Sequence, residues 1–133
     1  MFNKILVFLV GCYLPHIMAL SKEEMKDLAQ QLHNTCVTQT GVSEDLIKAV
    51  NNDGTFSDDE NFKCYTKCIM QESGIMDDEG LVDVEAAVAM LPEEYKDFEA
   101  IIRDCGTKKG STACENAWLT QKCYSQHPRY HLV

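Results

Sequence analysis

No stretch of this chain alternates apolar and polar residues as a half-buried strand would, which argues against a sandwich or barrel. No internal repeat and no linker divides it, so the 133 residues read as one small domain. Basic residues are scarce. Against 21 Asp and Glu stand 12 Lys and Arg, a formal net charge of −9. That balance excludes phosphate-rich partners, nucleic acid and anionic membrane alike, by simple repulsion. It also disfavours a membrane-lytic peptide, which is normally cationic. There is no Asn-x-Ser/Thr site, so N-glycosylation is not expected.

Long apolar runs are missing except at the start. "MFNKILVFLVGCYLPHIMAL" has Lys4, then an apolar run from Ile5 to Leu14 broken by Pro15, with Ala19 as the last residue before cleavage. Residues 1–19 read as a secretory signal peptide, too short and wrongly flanked for a membrane span. The expected mature domain is 20–133, secreted and extracellular. Removing the signal takes away Lys4 and no acid, so the mature chain is one charge more acidic still.

Cysteine is abundant. Of the seven, Cys12 leaves with the signal, and Cys36, Cys64, Cys68, Cys105, Cys114 and Cys123 remain. An even count in a small secreted chain implies three disulfides. In "CYTKC", Cys64 and Cys68 are one helical turn apart, with both sulfurs on one face. Parallel Cβ vectors on one helix suit different partners better than each other. Cys114 and Cys123, nine apart on a later helix, point to opposite sides. Each of these two helices must therefore be stapled to two neighbours. Several pairings satisfy that condition.

Helix signals dominate. Ser21-x-x-Glu24 is a capping box opening an apolar pattern at Met25, Leu28 and Leu32. A second helix can run from Ser43 to about Val50, and a third follows the capping box Ser57-x-x-Glu60. Val84, Val88 and Leu91 then recur at helical spacing, and Pro92 suits the first turn of the next helix. That helix would carry Tyr95, Phe98 and Ile102 on one face. Thr112-x-x-Glu115 caps a last helix to about Gln126, ended by Pro128. The expectation is an all-α domain of about six helices.

Catalytic and metal signals are weak. No mature cysteine is spare as a nucleophile, and the Gly-rich calcium loop and cysteine-flanked His of a secreted phospholipase are missing. "AVNNDGTFSDDE", residues 49–60, mimics an EF-hand loop with Asn51, Asp53, Gly54 and Glu60. Ala49 stands where its first acidic ligand is needed. No enzyme activity, metal or cofactor is expected. Stapled helices around a small core can instead hold a cavity open, and such pockets are mostly apolar. Candidate lining residues are Met25, Leu32, Tyr65, Ile69, Val84 and Val88, then Leu91, Phe98, Ile101, Ile102, Trp118 and Tyr124. Met70, Met76 and Met90 read as gap-filling.

The cysteine spacing, with "KCYTKC", "MLPEEY", "CENAW" and the ending "HLV", resembles the six-cysteine insect odorant-binding proteins, in the branch that includes pheromone-binding proteins. The resemblance covers the whole mature chain. It implies the pairing Cys36–Cys68, Cys64–Cys114 and Cys105–Cys123, and a carrier of small hydrophobic molecules, odorants or pheromones, in sensillar lymph. It further implies an odorant receptor as a second partner, no membrane insertion, and a monomer or weak homodimer. The competing class is a disulfide-stapled structural or defence protein, or a lipophile transporter outside olfaction. In a number of such relatives a tail like "RYHLV" folds over the pocket. Here Tyr130 and Leu132 would close the cavity. By position, His33, Asp53 and Tyr65 would hold the Val133 carboxylate. Acidification from about pH 7 to about pH 5 would loosen this lid by neutralising the carboxylate, opposed by charge on His33.

Overall fold

The computed structural model describes residues 21–133, so the signal peptide expected over 1–19 lies outside the described residues. Six α-helices follow in order: α1 (Lys22–Thr40), α2 (Glu44–Asp53), α3 (Glu60–Glu72), α4 (Val84–Ala89), α5 (Phe98–Cys105) and α6 (Ala113–Tyr124). A 3-10 turn, Glu93–Tyr95, lies between α4 and α5. Among the described residues there is no strand, only an isolated bridge from Met76 to Val82.

Local chemistry explains most helix boundaries. Ser21 accepts a hydrogen bond from Glu24 N at the start of α1, and Thr112 accepts from Glu115 N at the start of α6. Gly41 and Gly54 end α1 and α2 with φ of 68° and 75°, left-handed values that cost glycine nothing. α3 begins later than its apparent capping box. Asp59 is the cap, accepting from Phe62 N, and Ser57 Oγ instead accepts from Asp59 N. The segment after Pro92 also differs from one continuous helix. Arg129 Nη2 donates to the Glu94 carbonyl (3.1 Å), the group a continuous helix would offer to Phe98 N. The backbone turns tightly through Tyr95, with Tyr95 N bonded to Pro92 O and Lys96 N to Glu93 O, and restarts at Phe98. α2 runs through Asp53, so residues 49–53 are helix and not part of a calcium loop.

α3 is the central helix, packed most extensively on α6 and next on α1. It is buried on two sides, which is why its pattern is broader than a simple stripe. Phe62, Tyr65, Cys68 and Ile69 join a core with Leu32, Ile47, Val50 and Leu132. Met70 turns the other way, into a second core with Met76, Ala87, Ile102, Ala117 and Tyr124. Disulfides tie these layers. Cys36–Cys68 joins α1 to α3, Cys64–Cys114 joins α3 to α6, and Cys105–Cys123 joins α5 to α6. These are the pairs the resemblance implies. Each of α3 and α6 is stapled to two neighbours, as the spacing within each requires.

Candidate functional site: an apolar cavity and its terminal strap

An apolar cavity of about 500 Å³ lies between the start of α1 and the α4–α6 layer. Met25 closes one side. Ile75, Ala87, Met90 and Leu91 form the second wall, and Phe98, Ile102 and Tyr124 the third. A smaller recess of about 180 Å³ continues past Met25 toward Leu32 and Ile69. Ser73, Met90, His131 and Val133 border both spaces.

The chain after α6 separates this space from a polar groove on the other side. His131, Leu132 and Val133 also line that groove, opposite His33, Glu44, Lys48 and Asn51. The segment does not fray. Leu132 is 2% exposed and belongs to the α1–α3 core. Asn51 grips its backbone from both sides: Leu132 N donates to Asn51 Oδ1 and Asn51 Nδ2 donates to Leu132 O, each at 2.8 Å. Tyr65 Oη donates to an oxygen of Val133. His33 Nδ1 lies 3.1 Å from Tyr65 Oη and its Nε2 lies 2.8 Å from Glu44. Tyr130 Oη donates to Gln121 (2.8 Å).

The root of this strap is pinned as well. His127 stacks on Phe98 at 3.7 Å between ring centroids, and its Nε2 is 3.0 Å from Asp97. Arg129 pairs with the same carboxylate and lies over the Tyr95 ring. Burial pushes the Asp97 carboxyl upward, but the His127 hydrogen bond and the Arg129 charge outweigh it and hold the group below the usual carboxylate range. Burial raises the Tyr124 phenol to about 12. Burial also raises Tyr65, with help from the Glu44 charge, and Tyr130, with help from Tyr65 and Tyr124. All three phenols remain neutral donors near pH 7.

A model of the PBP/GOBP family matches residues 18–127. The chain belongs to this family. It is 33% identical over 96 residues to general odorant-binding protein 69a of Drosophila melanogaster, a match covering 71% of this chain and 65% of that protein. The match thus spans just under two thirds of that relative. Odorant-binding protein 4 of Chrysopa pallens superposes with a TM-score of 0.76 at 27% identity, over 86% of this chain and 99% of that one. Odorant-binding protein 7 of Anopheles gambiae, solved in complex with an azo compound, superposes with a TM-score of 0.68 at 26% identity, over 80% and 87%.

In this PBP/GOBP chain several expected lining residues do border the cavity or its recess. Met25, Leu91, Phe98, Ile102, Tyr124 and Tyr130 line the main space, and Leu32, Ile69 and Leu132 the recess. Others do not. Val84 and Val88 are half-buried against the second core, and the residues of this segment that border the cavity are Ala87, Met90 and Leu91. Ile101 is one step around α5 from Ile102 and also packs against that core. Tyr65 is fully buried beneath Val133 and acts on the strap rather than as a wall.

Trp118 packs on the α1–α3 core with Lys63 and Lys122 over its ring at 4.7 and 4.6 Å. It lies six residues before Tyr124, on another face of α6. As the single tryptophan, its emission should be unmoved by saturating ligand. A clear shift in emission maximum on titration would place Trp118 against the ligand and refute this.

Asp53 is the other correction. It is exposed and its carboxylate accepts from Thr55 N, which lowers its pKa. Two residues along α2 is more than half a turn, so Asn51 faces the strap and Asp53 faces away. Ile75 carried no signal of its own in the sequence; Met90, read there as gap-filling, is a cavity wall, and Asn51, noted only within the calcium-loop lookalike, clamps the strap. His127 and His131 stand four apart, the spacing of a metal pair on a helix, but α6 has already ended at Tyr124. Among the described residues no cluster of His, Cys, Asp and Glu could hold a metal ion, and no helix is long and apolar enough to cross a membrane.

Proposed function

We propose that this chain is a secreted carrier of small hydrophobic molecules, with the domain beginning at about residue 20 after signal removal. The observation that carries the proposal is the apolar cavity of about 500 Å³. Its size falls within the range of about 300–1,000 Å³ typical of small-molecule sites. Family membership supports the same reading, and the azo compound held by the Anopheles gambiae relative is a ligand of that general kind. The ligands follow as odorants or pheromones, and an extracellular fluid as the place of action. The test is a hydrophobic fluorescent probe with the refolded mature protein. Saturable single-site binding, displaced by volatile alcohols, aldehydes or esters, is expected. No saturable binding at micromolar probe would instead favour a stapled structural or defence protein.

Residues 130–133 serve in this proposal as the lid, and its grip depends on pH. Histidine changes charge between about pH 5 and 8. His127 Nδ1 accepts from Arg129 N at 3.1 Å, while its Nε2–H faces Asp97. A proton on Nδ1 turns that acceptor into a donor and breaks the bond at the root of the strap. A proton on His131 adds positive charge to a lining that already holds Lys22, Lys26 and Arg129 and no Asp or Glu side chain. Neutralising a Val133 carboxylate would weaken the Tyr65 bond in the same direction. His33 acts oppositely. Tyr65 gives its proton to Val133, so both His33 ring nitrogens face acceptors, and a second ring proton makes a contact there rather than breaking one. Affinity is expected to fall roughly threefold from pH 7 to pH 5, about the worth of one hydrogen bond. H33A should fall further. Probe titrations at both pH values check this, and affinity that rises on acidification would overturn it.

A further inference from the structure

Tyr124 combines two features that the carrier reading leaves unused. It is a wall of the cavity and only 7% exposed. Its Oη is buried with no hydrogen-bond partner among the described residues. A buried hydroxyl without a partner costs more than one exposed to water, so proteins rarely leave one unexplained. The other polar groups around the cavity are differently placed. Tyr130 Oη is bonded to Gln121, Ser73 Oγ to the Met70 carbonyl, and Arg129 to Asp97 and Glu94. Lys22, Lys26 and His131 are exposed. Trp118 Nε1 is also buried without a partner but lies outside the cavity, and Tyr95 is only half-buried, so among the lining residues Tyr124 is the buried group with hydrogen-bonding capacity left over.

We infer that Tyr124 is the polar anchor of the ligand, donating its phenolic proton to a single neutral carbonyl-type oxygen on an otherwise apolar molecule. Three observations narrow the class. The phenol stays protonated at any physiological pH, so it offers a donor, and the ligand must supply an acceptor. No Asp or Glu side chain lines the cavity while Lys22, Lys26 and Arg129 do, which disfavours an amine. The buried neighbours of Tyr124 in the core are the apolar Met70, Met76, Ala87, Ile102 and Ala117, so a carboxylate set against them would be stripped of water at a cost. A ketone, aldehyde or ester loses little hydration and gains the one bond on offer. The class predicted is therefore a linear or cyclic hydrocarbon bearing one carbonyl, preferred over the matching hydrocarbon, amine and acid.

This rests on the carrier reading, and the experiment separates the two. Competition against a fluorescent probe would use the mature protein and Tyr124→Phe, with a ketone, the alkane of equal chain length, and the corresponding primary amine and carboxylic acid. Phe keeps the ring and its packing, and thermal melts check that the variant is folded. The wild type should bind the ketone roughly three- to tenfold more tightly than the alkane, the range of one hydrogen bond. Y124F should bind both equally, with its alkane affinity unchanged. A ketone preference that is absent in the wild type, or intact in Y124F, overturns the anchor while the carrier stands. Tighter binding of the amine or the acid overturns the class. Failure of the wild type to bind any of the four, or the probe, removes the carrier reading and the anchor with it.

Discussion

Removing residues 130–133 is expected to weaken probe binding at pH 7 roughly tenfold and to lower stability by about 2–5 kcal/mol. Both effects come from the same four residues. Leu132 is buried in the α1–α3 core, where one leucine contributes about 2 kcal/mol through apolar area alone. The paired Asn51 bonds and the Tyr65 bond add about 1 kcal/mol each at most. Affinity falls because Tyr130 and Val133 are walls of the main cavity, so their loss opens it to water. The pH dependence should flatten in the truncated protein, since His131 is removed and His33 and His127 then have no strap to act on. N51A gives a milder and more specific version: it keeps every apolar residue and removes only the clamp. Its expected loss is about 1–2 kcal/mol in stability. Chemical denaturation and probe titration of both variants check these figures. Truncated protein with wild-type affinity and the same pH profile would show that the strap is no lid.

Breaking the Cys64–Cys114 bridge by the double variant C64A/C114A should be the most damaging change to the staples. The bridge closes a sequence separation of 50, against 32 for Cys36–Cys68 and 18 for Cys105–Cys123. On the loop-entropy model the longest loop is worth about 4 kcal/mol and the shortest about 3 kcal/mol. For a domain of this size the loss corresponds to a melting temperature lower by about 15 °C or more. There is a second reason for the ranking. Cys64–Cys114 ties the central helix to α6, and those two helices carry Ile69 beside the recess and Tyr124 in the main wall. Losing that tie should loosen the cavity as well as the fold, so ligand affinity should fall more than in C105A/C123A. Calorimetry of the two double variants decides it. A C64A/C114A protein melting within a few degrees of wild type would refute the ranking.

The strap and the cavity differ in how far they could be read in advance. Helix positions were legible because caps and apolar spacing act within one or two turns. Ser21, Ser43 and Thr112 accept bonds from residues two or three positions ahead of themselves, so the signal and its effect lie together in sequence. Where a distant residue intervenes, the local signal misleads. Arg129 takes the Glu94 carbonyl and splits the segment after Pro92, 35 residues away from itself. Val84 and Val88 share helical spacing with Leu91, yet only Leu91 borders the cavity, which the spacing could not show. Tyr65 was singled out as a holder of the chain end and does bond Val133. Asp53 was singled out on position alone and faces the wrong way.

By itself the sequence determined the all-α class, the number of helices, the even cysteine set and the acidic surface. All of these follow from composition and short-range periodicity, which a chain carries whether or not it is folded. Only the tertiary structure decided which apolar residues face a cavity and which fill a core. Ile101 and Ile102 are the same side chain one step apart on α5, and only the placement of that helix in the fold puts Ile102 at the cavity while Ile101 packs on the core beside it. It also decided that Asn51 meets Leu132, a contact between residues 81 apart. No local pattern encodes such a pair, because its partners are brought together only by the packing of α2 and α3 beneath the strap. The unpartnered hydroxyl of Tyr124 belongs to the same category. Its chemistry is written in the sequence, but its isolation is a property of what surrounds it.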